Sequence, residues 1–167
     1  MYIIDNEKQI DLIREMKQLR KDSTKYEVYY HHPYTNQMWK SFFPLSDKES
    51  LGPKLMRHEP MPTDIEKCLK ICLAEYAPDN AIGLGIEWSI HTALWPDIIK
   101  ALEQNYSNYQ RAQLKLFLNH LNMGEVAPAE KEKEQSPDKL PEFTGEELHN
   151  LIWRSRKIRM KRFFVIG

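Results

Sequence analysis

Tyr26-Glu27-Val28-Tyr29-Tyr30-His31-His32-Pro33-Tyr34-Thr35-Asn36-Gln37-Met38-Trp39-Lys40-Ser41-Phe42-Phe43-Pro44 is the stretch that decides the fold. Aromatic and β-branched residues fill both arms, and such residues suit a pleated, half-buried surface. Pro33 fixes φ and Asn36 tolerates a left-handed backbone, so residues 32–36 supply turn chemistry. The reading is a strand over 26–31 and a return strand over 38–43, closed by Pro44. Side chains alternate along a strand. Trp39 and Ser41 therefore share one face, and Met38, Lys40 and Phe42 the other. Neither face is purely apolar, which predicts a half-buried hairpin.

Toward the N-terminus, Ile10, Leu12, Ile13, Met16 and Leu19 fall at helical spacing and predict a helix over 6–21, with Asp5 or Asn6 as its N-cap. Residues 1–4 read as a short strand. Beyond the hairpin, residues 44–62 carry four prolines and Gly52, and read as a long loop or crossover. Thr63-Asp64-Ile65-Glu66 reads as a capping box, in which Thr63 meets an early amide and Glu66 reaches back. Its helix runs to about residue 76 and turns Ile65, Cys68, Leu69 and Cys72 inward. Further helices are predicted over 79–91, 95–105 and 108–122. Gly83 and Gly85 weaken the first of these by ~1 kcal/mol each relative to Ala. Apolar positions recur at an offset of 30 residues: Ile65 with Trp95, Cys68 with Ile98, Leu69 with Ile99, Cys72 with Leu102. Two consecutive helical hairpins would produce this, compatible with a HEAT-like array although short of its usual minimum of about three units.

Residues 124–142 hold six acids, three lysines and three prolines, the composition of a solvated linker. Thr144-Gly145-Glu146-Glu147 is a second capping box, opening a helix with Leu148, Leu151, Ile152 and Ser155. Residues 162–167 read as a final strand that pairs with the hairpin. The expected fold class is α+β, mostly helical, with a small antiparallel sheet. The expected organisation is a body over 1–123, a linker or loop over 124–143, and a C-terminal helix and strand over 144–167 that pack back.

The chain has 167 residues, with 24 basic and 24 acidic side chains. That balance excludes a wholly basic nucleic-acid coat and a wholly acidic disordered chain. No apolar run approaches the roughly 18 residues of a membrane span. Residues 1–6 show neither the basic nor the apolar region of a signal peptide, so a cytoplasmic protein is expected. Cys68 and Cys72 lie on the apolar stripe of a helix without a second cysteine pair. They read as core residues, not as half of a zinc site, which needs four ligands. No metal and no cofactor are expected.

Catalytic signatures are missing. Gly83-x-Gly85 lacks the third glycine and the preceding strand of a dinucleotide fingerprint. No Walker A sequence occurs. Ser41 has no nucleophile-elbow context. Glu87 and His91 stand i, i+4, which reads as a local hydrogen bond and not as H-E-x-x-H. The expectation is a protein that is not an enzyme.

Two groups remain as binding candidates. Tyr29, Tyr30, His31, His32, Tyr34 and Trp39 form a polar-aromatic rim, the chemistry of a recognition surface. Trp39 is expected to be partly exposed, as an interface hot spot. Arg154, Arg156, Lys157, Arg159, Lys161 and Arg162 place six cations in nine residues, whereas residues 1–150 carry 18 basic against 24 acidic side chains. The basic run is expected to contact the acidic body or a protein partner. The alternative is phosphate contact by a nucleic-acid-associated protein. In size and mixed α+β pattern the chain resembles small cytoplasmic bacterial proteins that bind another protein, immunity proteins among them. The expected function is therefore a non-enzymatic protein-binding module, in its sharpest form neutralising a cognate toxin.

Overall fold

The hairpin forms, and it lies inside a larger sheet. A computed structural model describes residues 1–45, 51–124 and 143–163. In chain order the elements are β1 (Tyr2–Ile3), α1 (Asn6–Arg14), β2 (Lys17–Asp22), β3 (Glu27–His32), β4 (Gln37–Phe42), β5 (Leu55–Glu59), α2 (Ile65–Leu73), α3 (Pro78–Ser89), α4 (Trp95–Asn105), α5 (Arg111–Leu121) and α6 (Gly145–Phe163). The strands make one antiparallel sheet in the order β1-β5-β4-β3-β2. The class is α+β, as the sequence predicts.

Three expectations are corrected. The helix predicted over 6–21 stops at Arg14, and Lys17–Asp22 pairs with β3. Nothing in residues 15–22 breaks a helix; strand pairing overrides a weak local preference. The connection is set by Asp22, whose Oδ1 accepts from the Thr24 amide and hydroxyl and from the Lys25 amide. The supposed loop over 44–62 contains β5, which lies between β1 and β4. The strand predicted over 162–167 begins in error, because α6 continues through Phe163. Both edges of the hairpin are already taken, β3 by β2 and β4 by β5. Residues 164–167, and 125–142 of the predicted linker, lie outside the described residues.

The two faces of the sheet have different covers. Under α1, Tyr30, Trp39 and Met56 pack with Ile3, Leu12, Ile13, Met16 and Val28. On the other face Tyr2, Phe42 and Leu55 join the large core of α2–α6. That core includes Ile98, Ile99 and Leu102, each fully buried and each contributing ~1.5–3 kcal/mol by leaving water. Leu148, Leu151 and Ile158 bring α6 into the same core. Cys68 and Cys72 are buried there as free thiols, and burial pushes the Cys72 thiol up to about 12.

Polar side chains fasten the pieces. Gln9 is fully buried, and its Nε2 donates to the carbonyls of Ile3, Ile4 and Lys54. Asn80 Oδ1 accepts from the Tyr2 amide, tying β1 to α3. Gln113 Nε2 donates to Cys72 O and Ala77 O, tying α5 to the α2–α3 corner. The two glycines of α3 are packing residues. A Cβ at Gly83 would stand 2.5 Å from the Tyr2 ring, and one at Gly85 would stand 2.8 Å from Phe117 O. Both lie far inside contact distance, so these glycines set how closely β1 and α5 approach α3.

Candidate functional site

The polar-aromatic rim divides along the strand alternation. Tyr30, His32 and Trp39 turn under α1 and are buried. Trp39 is 7% exposed, correcting the expectation of a partly exposed hot spot. Its ring meets His58 of β5 edge-on, with centroids 4.0 Å apart. His32 accepts from the Thr35 amide at Nδ1 and points Nε2 at Glu15, 3.4 Å away. Tyr29 and His31 lie half-buried on the opposite face, and Tyr34 stands at the hairpin tip, 88% exposed. The period of two already separates Tyr29 and His31 from Tyr30 and His32, so these four cannot form one surface.

On the Tyr29 face the register aligns Arg20, Tyr29, Lys40, Arg57 and Tyr2 across all five strands. Three cations and two tyrosines make up that row, and Phe42, one pair along β4 from Lys40, adds a third ring on the same face. The Arg20 guanidinium lies 4.4 Å from the Tyr29 centroid. Lys40 Nζ lies 5.8 Å from Tyr29 and 4.7 Å from Phe42, and Arg57 lies 5.4 Å from Phe42. Such contacts stabilise by about 0.5–2 kcal/mol each, more where desolvated. Glu27 closes the outer end: Lys40 pairs with it at 2.6 Å, and the Tyr29 hydroxyl donates to it at 2.9 Å. Burial pushes the Glu27 carboxyl up, but the Lys40 and Tyr29 hydrogen bonds outweigh it and hold the group below its ordinary value.

At the inner end the row meets the helices. Arg57 pairs with Glu59 at 3.0 Å and with Glu87 of α3 at 3.2 Å, and Tyr2 Oη donates to Glu87 at 2.6 Å. Both Glu87 oxygens are thus engaged by Tyr2 and Arg57, not by His91 as the i, i+4 spacing suggested. Burial raises the Tyr2 phenol well above its ordinary value, and the Glu87 charge adds to the effect. A pocket of about 270 Å³ lies in this corner, walled by Ile65, Trp88 and Leu94, with Cys68 and His91 at its edge. The Cys68 thiol donates to Pro62 O, and burial pushes it up, away from the reactive thiolate.

The outer end is the open one. β2 pairs only with β3 among the described residues, and five of its six residues are exposed. Leu19 projects at a register shift, 52% exposed. Sequence reasoning missed this edge because it placed residues 15–21 in a helix.

The basic run lies on α6. Arg154 is spent inside the molecule: its Nε and Nη2 donate to the two Glu103 oxygens at 2.9 and 2.6 Å. That hydrogen-bonded pairing holds Glu103 below its ordinary value. Arg159 is half-buried, whereas Arg156, Lys157 and Lys161 are exposed. Arg162 lies in the last turn of α6, its side chain outside the described set. Lys157 Nζ sits 3.3 Å from the centroid of Trp153, which is 49% exposed.

Among the described residues no group of three or more His, Cys, Asp or Glu side chains is placed to hold a metal ion. No helix among them is long and apolar enough to cross a membrane. No protein-family model, no curated protein and no solved structure matches the chain.

Proposed function

We propose that this protein is a non-enzymatic protein-binding module that presents the β2 edge of its sheet to another protein. The observation that supports this reading is the open strand β2, flanked by a Tyr29 ring fixed between Arg20, Lys40 and Glu27. An open edge offers backbone donors and acceptors to an added strand, and side chains beside it give specificity. Tyr and Arg are the residues that anchor interfaces. Lys17 and Lys21 guard the same edge against pairing with another copy.

In its sharpest form the reading is an immunity protein that neutralises a toxin domain. A reducing, cytoplasmic location fits the two unpaired buried thiols. The packing of α2 on α4 and of α3 on α5 is the part of a HEAT-like arrangement that the contacts support; α4 and α5 barely meet, so the second hairpin rests on the 30-residue recurrence of apolar positions. The alternative, nucleic-acid association, draws support from the exposed Arg156, Lys157 and Lys161.

The test is co-expression with a toxin domain encoded beside this gene. Growth should be rescued by the natural chain and lost with Arg20→Glu combined with Tyr34→Ala, in a chain whose circular dichroism is unchanged and whose melting temperature falls only by the few degrees that loss of the Arg20–Tyr29 contact accounts for. Absence of such a neighbour, or rescue indifferent to both substitutions, sinks the toxin form. A partner whose affinity ignores the β2 edge sinks the surface assignment.

A further inference from the structure

The outward face of α6 carries a second feature, independent of β2. Trp153 and Met160 are 49% and 58% exposed, and Arg156, Lys157 and Lys161 surround them. Trp153, Lys157 and Met160 follow one another at i, i+4 and i+7, a single stripe of the helix. The opposite face is sealed in the core through Leu148, Leu151 and Ile158. Beside the stripe runs a groove of about 140 Å³ with Tyr106 and Ile158 at its base, walled by Trp153 and rimmed by Lys157 and Lys161. Glu103 also reaches this groove, but Arg154 engages both of its oxygens. The remaining field at the rim is positive.

We propose that this groove and stripe dock a short acidic protein segment that inserts one apolar or aromatic side chain. The groove has room for one such side chain, and its walls are a ring, a phenol and an isoleucine. The cations that flank it would meet carboxylates on neighbouring positions of the segment. Trp153, already oriented by Lys157, is the anchor, since Trp dominates interface hot spots. The rim charges speed encounter and set charge specificity.

Charge also argues against a phosphate polymer. From Trp153 to Lys161 the stripe spans ~12 Å at the helical rise per residue. It offers three exposed cations, whereas nucleic-acid binders commonly neutralise about 6–10 phosphates. Residues 1–150, with 18 basic and 24 acidic side chains, repel an extended polyanion.

Tryptophan quenching tests the proposal. Trp39, Trp88 and Trp95 are buried, so acrylamide reports chiefly on Trp153. The probe is a short peptide of glutamates around a central phenylalanine. It should shield Trp153 saturably, with affinity that falls as salt rises. Replacing its phenylalanine by glutamate should weaken binding about tenfold, the loss of a modest anchor. Lys157→Glu with Lys161→Glu should abolish shielding in a chain whose circular dichroism is unchanged. Lys70→Glu, an exposed charge reversal on α2, should leave it intact. Each of four results overturns the proposal: no shielding by the peptide; an effect of Lys70→Glu equal to that at Lys157 and Lys161; tighter shielding by a single- or double-stranded oligonucleotide or by phosphatidylserine vesicles; or a Trp153 already inaccessible in the free chain. None of these results bears on the β2 edge, so the two readings fail separately.

Discussion

Glu27 shows how a single residue holds the sheet's outer face. It accepts from Lys40 and Tyr29, and those bonds outweigh the cost of its burial, so its folded pKa lies below the ordinary value. A depressed carboxylate contributes stability that is fully present above its unfolded pKa, about 4.3. That contribution is lost as pH falls through the lower folded value. Glu27→Gln should therefore cost roughly 1 kcal/mol at neutral pH. The gap between the two proteins should close as acid titrates the natural chain. Chemical denaturation at several pH values measures it. A gap that stays constant into strong acid would mean that the charge of Glu27 does not matter and only its shape does.

At the scale of elements, the start of α2 separates two readings of one motif. The sequence suggests Thr63 as the N-cap. In the structure Asp64 occupies that position and accepts from the Lys67 amide at 2.7 Å. Asp64→Ala should lower stability by ~1 kcal/mol, the usual cost of a lost cap, and Thr63→Ala by clearly less. Equal losses, read from thermal melts, would contradict the assignment. The second capping box is read correctly: the Thr144 amide donates to Glu147, and the Glu147 amide donates to Thr144 Oγ1. The contrast is instructive. Local patterns with one chemical solution, such as the Thr144 box, the α4 span and the β3–β4 alternation, are legible in sequence. Elements fixed by a remote partner are not. β2 carries a helix-compatible sequence and is a strand only because β3 stands beside it. β5 reads as loop because prolines surround it and Arg57, His58 and Glu59 look solvated, although they sit between two strands. The candidate site suffered accordingly. Tyr29 and the α6 cations were legible as residue types, whereas Arg20 and Arg57 gain their roles from strands that the sequence did not reveal.

For the whole molecule the question is what joins sheet to helices, and Tyr2, Arg57, Glu59 and Glu87 answer it. Arg57 on β5 bridges Glu59 on its own strand and Glu87 on α3, while Tyr2 on β1 donates to the same Glu87. The Arg57 and Glu87 side chains are 14% and 13% exposed, so the pair is largely desolvated. A buried pair adds little over an apolar substitute, but removing one partner strands the other charge. Arg57→Met should thus cost about 2–4 kcal/mol, since Glu87 and Glu59 lose their cation. Glu87→Gln keeps an acceptor for Tyr2 and should cost less. The double variant should be more stable than the sum of the two losses predicts, by ~1 kcal/mol or more, as expected for groups in direct contact. Strict additivity in urea denaturation would show that Arg57 and Glu87 are not coupled, leaving the seam to the packing of Phe42, Leu55 and the Tyr2 ring and to the hydrogen bond from the Tyr2 amide to Asn80. Positive coupling would instead place the ion network at the seam, with Arg57 of β5 and Glu87 of α3 acting as one unit that holds the sheet to the helices.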